Sequence, residues 1–339
     1  MSTNEQWLNT NKEKALEPDL PICDPHHHLW DFKKDSVEPT YLLPEILSDT
    51  NSGHNIVSTV FIECGAMYNA EHSIEEQVIN ETTFVNGIAA MSNSGAYGNT
   101  KIAAGIVGSA PLLIGDGVAN ILDKHLNIAS DRFKGIRSQA AMHPDGTIPV
   151  SRARPIEGVY INDNFQKGFA HLESRNLSFE AWCYHPQLPQ LIELAKKFPN
   201  TSIILNHFGG PLGVGSFSNK EDETYNFWEK QIIELSKCEN VVAKLGGIAM
   251  EINGFDWHKN NSAPSGSELI NRTKRYYDKT LNLFGIDRCM FESNFPVDKI
   301  SCSYVNLWNG FKELTKDYSQ SERAKLFHDN ASKTYKLQN

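Results

Sequence analysis

The chain has 339 residues, 40% of them hydrophobic and 22% charged, with a formal net charge of -9. A chain of that length buries a core without disulfides or a structural metal, and the negative balance excludes a general nucleic-acid binder. Residues 1–17 contain no apolar leader and no apolar run is long enough to span a bilayer, so we expect a cytoplasmic protein that does not associate with membranes. The six cysteines are scattered without a Cys-x-x-Cys pair. That spacing argues against a zinc–thiolate site and for small buried side chains.

Residues 1–19 are polar and read as a flexible N-terminal segment. From residue 20 onward, short β-branched runs alternate with amphipathic stretches. The apolar runs predict strands over 21–28, 56–63, 101–107, 133–137, 178–185, 202–207, 241–246 and 289–294. Their nearly continuous apolar character is that of strands buried on both faces. Helical periodicity falls between them, over 71–91, 118–128, 164–173, 188–198, 222–237, 267–284 and 304–314, with a shorter stretch at 42–47. A last helix, 320–335, opens with Ser319 and Glu322 at capping-box spacing. Eightfold strand–helix alternation predicts an α/β fold, a (β/α)8 TIM barrel, as one domain over residues 20–339. A doubly wound sheet would carry a Gly-rich phosphate turn after its first strand, and this chain has histidines there. Segments 140–162 and 247–266 are rich in Gly, Pro and Asn, and read as long βα loops over the barrel mouth.

The strand ends carry the chemistry. His26 and His28 are two residues apart on the first strand, so their side chains share a face while His27 points away. The second strand ends in Glu63, the fourth in Arg137, the fifth in Trp182-Cys183-Tyr184-His185 and the sixth in Asn206-His207. The seventh carries Lys244, and the eighth runs Glu292-Ser293-Asn294. Polar side chains at the same end of nearly every strand fit an active site at the mouth, where barrel enzymes keep theirs. Four neutral imidazoles, His26, His28, His185 and His207, with Glu63 and Glu292 as carboxylates, make a set for a divalent ion: zinc first, iron or manganese as alternatives. A histidine left outside that shell serves as base. Arg137 and Lys244 would hold a carboxylate, lactone or enolate. Each of these residues also has a plain structural reading, as a hydrogen-bonded core histidine or an internally paired charge. Trp30, Tyr68, Trp182 and Tyr184 read equally well as core or as pocket walls. Cys64 and Cys183 lack an adjacent base and are not read as nucleophiles.

The runs Asp24-Pro25-His26-His27-His28-Leu29-Trp30-Asp31, Phe133-Lys134-Gly135-Ile136-Arg137, Trp182-Cys183-Tyr184-His185-Pro186, Asn206-His207-Phe208-Gly209-Gly210 and Ser293-Asn294-Phe295-Pro296 together resemble the amidohydrolase superfamily. The resemblance is to the amidohydrolase-related branch with sugar-acid lactonases, a pyrone-dicarboxylate hydrolase and related decarboxylases. It implies a barrel with its site at the mouth, His26, His28 and His185 as metal ligands, and His207 as a ligand or base. It also marks a departure, because the eighth strand of the family usually carries an aspartate base or ligand where this chain has Asn294. Glu292 or Glu63 is then the substitute carboxylate. The family's fourth-strand lysine is absent as well, with Arg137 nearby.

These readings predict a metal-dependent hydrolase that opens a lactone or related carboxyl derivative of a small acidic or sugar-like molecule. His207, Arg137 and Asn294 are the expected catalytic positions. The alternatives are an iron or manganese oxygenase or zinc decarboxylase on the same fold, or a non-catalytic partner subunit. A homo- or hetero-oligomer is compatible with the sequence.

Overall fold

A computed structural model of the protein describes residues 3–32, 40–150 and 155–338. Strands β1 (Pro21–His27), β2 (Asn55–Ile62), β3 (Lys101–Ser109), β4 (Phe133–Gln139), β5 (Ser178–Trp182), β6 (Ile203–Leu205), β7 (Val241–Leu245) and β8 (Cys289–Phe291) lie side by side in sequence order. Every neighbouring pair is parallel. The sheet closes on itself through residues just past β8. A parallel bridge joins His27 to Phe295, His28 N donates to Phe295 O at 2.8 Å and Asn294 N to His26 O at 3.0 Å. Asp24 locks this seam. Its carboxylate accepts from Ser293 N at 3.0 Å, Ser293 Oγ at 2.6 Å and Tyr304 Oη at 2.9 Å. The result is the expected (β/α)8 barrel.

Helices α1 (Thr3–Leu8), α2 (Leu43–Thr50), α3 (Ile74–Asn93), α4 (Val118–Ile128), α5 (Asp163–Ala170), α6 (Leu188–Lys197), α7 (Glu221–Ser236), α8 (Gly266–Phe284), α9 (Tyr304–Leu314), α10 (Gln320–Ala324) and α11 (Asn330–Thr334) complete it. Caps set several of their starts. Ser73 accepts from Glu76 N while Glu76 returns to Ser73 N, so α3 begins at Ile74, later than its apolar periodicity suggests. Ser265 and Glu268 do the same for α8, and Ser319 with Glu322 forms the predicted box at α10. The last predicted helix is interrupted by a π-helical turn, Lys325–Asp329, between α10 and α11. None of the described helices is long and apolar enough to cross a membrane.

The N-terminal segment is bonded to the outside of the barrel. Trp7 Nε1 donates to Asn260 O at 2.8 Å, and Lys312 Nζ donates to the carbonyls of Leu16 and Glu17 at 2.7 and 2.9 Å. At the other end of the chain, Tyr335 enters the barrel floor beside Cys23, Val60, Ile62, Val107, Ile204 and Met290. Above the mouth, the long loops meet. Ala141 and Ile148 from one and Ile252 from the other pack with Trp182, Tyr184 and Leu212. Residues 151–154 of the first loop, and 33–39 of the connection after β1, lie outside the described residues.

Candidate active site

The site grows from the end of β1. His26 and His28 turn inward together, with ring centroids 5.0 Å apart. His27 turns away, its Nε2 2.9 Å from Thr59 Oγ1. The His28 ring is fixed by Nδ1, which donates to Ile62 O at 2.8 Å, so its Nε2 carries the lone pair. It stacks against Trp30. His207 arrives from the turn after β6, its ring 4.5 Å from that of His26 and edge-on to Trp182 at 4.8 Å. Its backbone is left-handed, φ 51°, and so is that of Phe208, φ 57°. Each such non-glycine residue costs of order 1–3 kcal/mol and persists only where the surroundings impose it. Glycine makes the space. A Cβ on Gly247 would lie 1.9 Å from His207 Nδ1.

Glu292 joins the two rings. Its Oε1 is 2.7 Å from His207 Nδ1 and its Oε2 is 2.8 Å from His26 Nδ1, and all three side chains are buried. Among the described residues, His26, His207 and Glu292 form the group whose donor atoms lie within 4.8 Å of one another. Two cations flank it, each with its own carboxylate. Lys244 Nζ is 3.3 Å from His26 Nδ1 and 4.0 Å from Glu292, but it pairs with Glu180 at 2.9 Å and donates to Pro25 O at 2.8 Å. Arg137 approaches His26 Nε2 at 3.4 Å, while its Nε donates to Glu63 Oε1 at 2.7 Å and another of its N–H groups to Glu63 O. Burial, reinforced by these cations, holds His26, His28 and His207 well below the usual imidazole range, so all three are neutral at neutral pH. Burial pushes the Glu292 carboxyl up to about 8, with Lys244 pulling the other way.

The remaining expected residues divide. Glu63 faces the site but is taken up by Arg137 and by Gln139 Nε2 at 2.6 Å. His185 sits elsewhere. β5 ends at Trp182, and His185 opens a short helical turn in which its Nδ1 accepts from Leu212 N at 3.3 Å and its ring meets Phe217 and Phe227. There it lines a separate cavity of about 400 Å³ together with His143. Asn294 is buried at the seam and donates from Nδ2 to Asp298 Oδ1 at 2.8 Å. Asp298 itself is pushed up to about 8 by burial. The sequence reading passed over Gln139, Glu180 and Asp298 as site-supporting residues. Gln139 was findable, since it lies two residues past Arg137 and therefore on the same strand face. Glu180 and Asp298 gave no signal, because their partners Lys244 and Asn294 are distant in sequence or set by a turn.

The family model described as Amidohydrolase matches residues 23–337. The chain belongs to the amidohydrolase family. An uncharacterized protein of Sinorhizobium fredii is 32% identical over 94% of this chain and 99% of its own length. An L-fucono-1,5-lactonase of Burkholderia multivorans is 25% identical over 52% of this chain and 58% of its own. A crystal structure of a Burkholderia multivorans amidohydrolase with bound zinc superposes with a TM-score of 0.69, at 20% identity over 94% of this chain and 99% of that one.

The residues of this amidohydrolase fit a divalent ion. Two imidazoles and a carboxylate suit zinc, iron or manganese. Glu292 Oε2 is a buried carboxylate oxygen with no aligned hydrogen bond, even though His26 Nδ1 is close by. Because Lys244 and Arg137 are each matched by another acid, Glu292 is the carboxylate in the group still lacking a full counter-charge.

Proposed function

We propose that this amidohydrolase is a metal-dependent hydrolase that opens a lactone or a closely related carboxyl derivative. The observation that carries the reading is the buried His26–His207–Glu292 group, set beside the Arg137 guanidinium at the mouth of the barrel. The similarity to L-fucono-1,5-lactonases points the same way. His26, His207 and Glu292 would hold the ion, with zinc the first choice. When bound, the ion supplies an activated water or a polarised carbonyl.

The chain's own residues do the rest. His28, whose Nδ1 is committed to Ile62 O, takes the water proton on Nε2. Water oxygen bonds to the carbonyl carbon, the ring C–O bond breaks, and the proton returns from His28 to the leaving oxygen. Arg137, braced by Glu63, faces the charge that develops on the carbonyl oxygen. Trp182 and the packed loops above it keep bulk water from the rings.

The test is protein stripped with a chelator and reloaded with zinc, iron(II) or manganese, with lactone opening followed as acid release at constant pH. Reloading restores turnover, and His26→Ala loses bound metal and turnover together. Full activity in the stripped protein, or in H26A, contradicts the reading. One observation favours decarboxylation as a second reading, namely that Asn294, three residues past β8, places an amide bonded to Asp298 where a free carboxylate would be expected. Release of CO2 from a phenolic acid, with no acid release from lactones, would select it.

A further inference from the structure

We infer that the substrate of this site is an uncharged lactone or ester whose non-reacting part is apolar, an alkyl or aromatic substituent, and not a carboxylate or a polyhydroxylated sugar acid. The inference rests on the hydrolase reading above and names the substrate class for it. It differs from the acidic or sugar-like molecule that the strand-end cations suggest from sequence.

A cavity of about 380 Å³ has Glu63, Arg137 and Gln139 in its lining and reaches the histidines through Arg137, which lies 3.4 Å from His26 Nε2; no histidine lines it directly. That size is at the small end of ligand pockets. The one cation in the lining is already paired with an acid, and the guanidinium nitrogen not bonded to Glu63 lies toward His26, at the reacting centre. Arg137 directs Nε to the Glu63 carboxylate and a second N–H to the Glu63 carbonyl, and Gln139 adds a third bond to the same acid. The other cation near the rings, Lys244, lies fully buried and paired with Glu180. A second acid, Glu81, is buried behind the cavity with Oε1 held by the amides of Cys64 and Ala66 at 3.0 and 2.8 Å. A carboxylate substrate entering here would meet an arginine whose charge is already shared with Glu63, while Glu81, pushed up to about 8 by burial, offers it no cation. Its desolvation would go uncompensated.

The walls are apolar: Val78, Leu112 and Val159, with Ile74, Leu113 and Ile156 toward the opening. The hydroxyls on the lining are few, and that of Tyr68 is already bonded to Ser109. A sugar ring would leave most of its hydroxyls unpartnered against such walls. The rim is the independent observation. Ile74, Leu113 and Ile156 are 52%, 38% and 46% exposed, three large apolar side chains left in water around one opening. Exposed apolar residues gathered at one place mark a binding surface, whereas single scattered ones do not.

The test is kcat/KM over δ-lactones of increasing alkyl length, set against aldono-1,5-lactones and lactones bearing a carboxylate. Each added methylene that reaches the walls should raise kcat/KM by about fourfold until the cavity is filled. Ile74→Ser with Leu113→Ser, both at exposed positions, should flatten that slope. A flat or falling slope, or a preference for aldonolactones or carboxylated lactones, overturns the inference while leaving the hydrolase reading in place. Binding of an unreactive δ-lactam, with and without a hexyl chain, is measured by calorimetry in parallel. If no lactone turns over, yet the hexyl lactam binds at least tenfold tighter than the parent and loses that advantage in the double variant, the hydrolase reading fails and the apolar site stands. If the double variant instead converts a dimer to a monomer in sedimentation and the lactam does not bind, the rim is an interface between copies of the chain and the inference is wrong.

Discussion

Lys244→Met removes the ammonium from the middle of the barrel. Nζ is fully buried, 2.9 Å from Glu180 Oε2 and 2.8 Å from Pro25 O, and Glu180 is also fully buried. Methionine fills similar space but leaves the Glu180 carboxylate without its counter-charge, although Asn206 Nδ2 and Tyr335 Oη still donate to it. Removing one partner of a buried pair costs about 3–5 kcal/mol, because the survivor remains desolvated and uncompensated. Total stability of a domain is about 5–15 kcal/mol, so the variant should fold but unfold at much lower denaturant. Urea unfolding at pH 7 measures it. Adding Glu180→Gln removes the stranded charge and keeps an acceptor for Asn206, so the double variant should recover at least about 2 kcal/mol relative to K244M. A loss below about 1 kcal/mol in K244M, or a double variant less stable than either single, refutes the idea that a matched buried pair sets the charge beneath the histidines.

Gly247→Ala should place a methyl against the His207 ring in a backbone of φ +63°. We expect about 1–2 kcal/mol of lost stability and a turnover loss of about 100-fold from the displaced ring, read by chemical denaturation and by initial rates. An alanine variant of normal rate would mean that His207 is not positioned as described. His125 is buried, bonded to Thr82 Oγ1 at 2.9 Å and Ser109 O at 3.0 Å, and burial lowers it from 6.5 to about 4. The unfolded chain therefore binds more protons than the folded one between those values, so stability rises with pH through that window and is lost as pH falls from about 6.5 to 4. His125→Gln should unfold with a shallower pH dependence over that range in a series of urea titrations. An unchanged slope would assign the acid sensitivity to other groups.

The barrel was legible because its strands are uniformly apolar and its helices amphipathic, which are signals local to each element. Where expectation and structure part, the cause is a contact that is distant in sequence or set by a turn. The strand expected to reach residue 185 stops at Trp182, because the chain turns at His185-Pro186-Gln187 and carries His185 off toward Phe217. His26 and His28 were legible as a pair from spacing alone, and His207 from its place at a strand end. That Glu292 bridges His26 and His207 was not, since only the approach of the turn after β6 to the end of β8, made possible by Gly247, brings them together. The pairing of Arg137 with Glu63 was equally invisible. Residues 74 apart in sequence meet because β2, β3 and β4 are neighbours in one sheet.

Glu292, with His26 and His207, is proposed to hold one divalent ion used to open a lactone. This role is tested most directly by metal content and lactone turnover in Glu292→Gln, measured on the same folded preparation. We expect about one equivalent of metal per chain in the native protein, and a fall of at least about 100-fold in both metal affinity and turnover in the variant. A Glu292→Gln protein that keeps its metal and its rate would contradict this role.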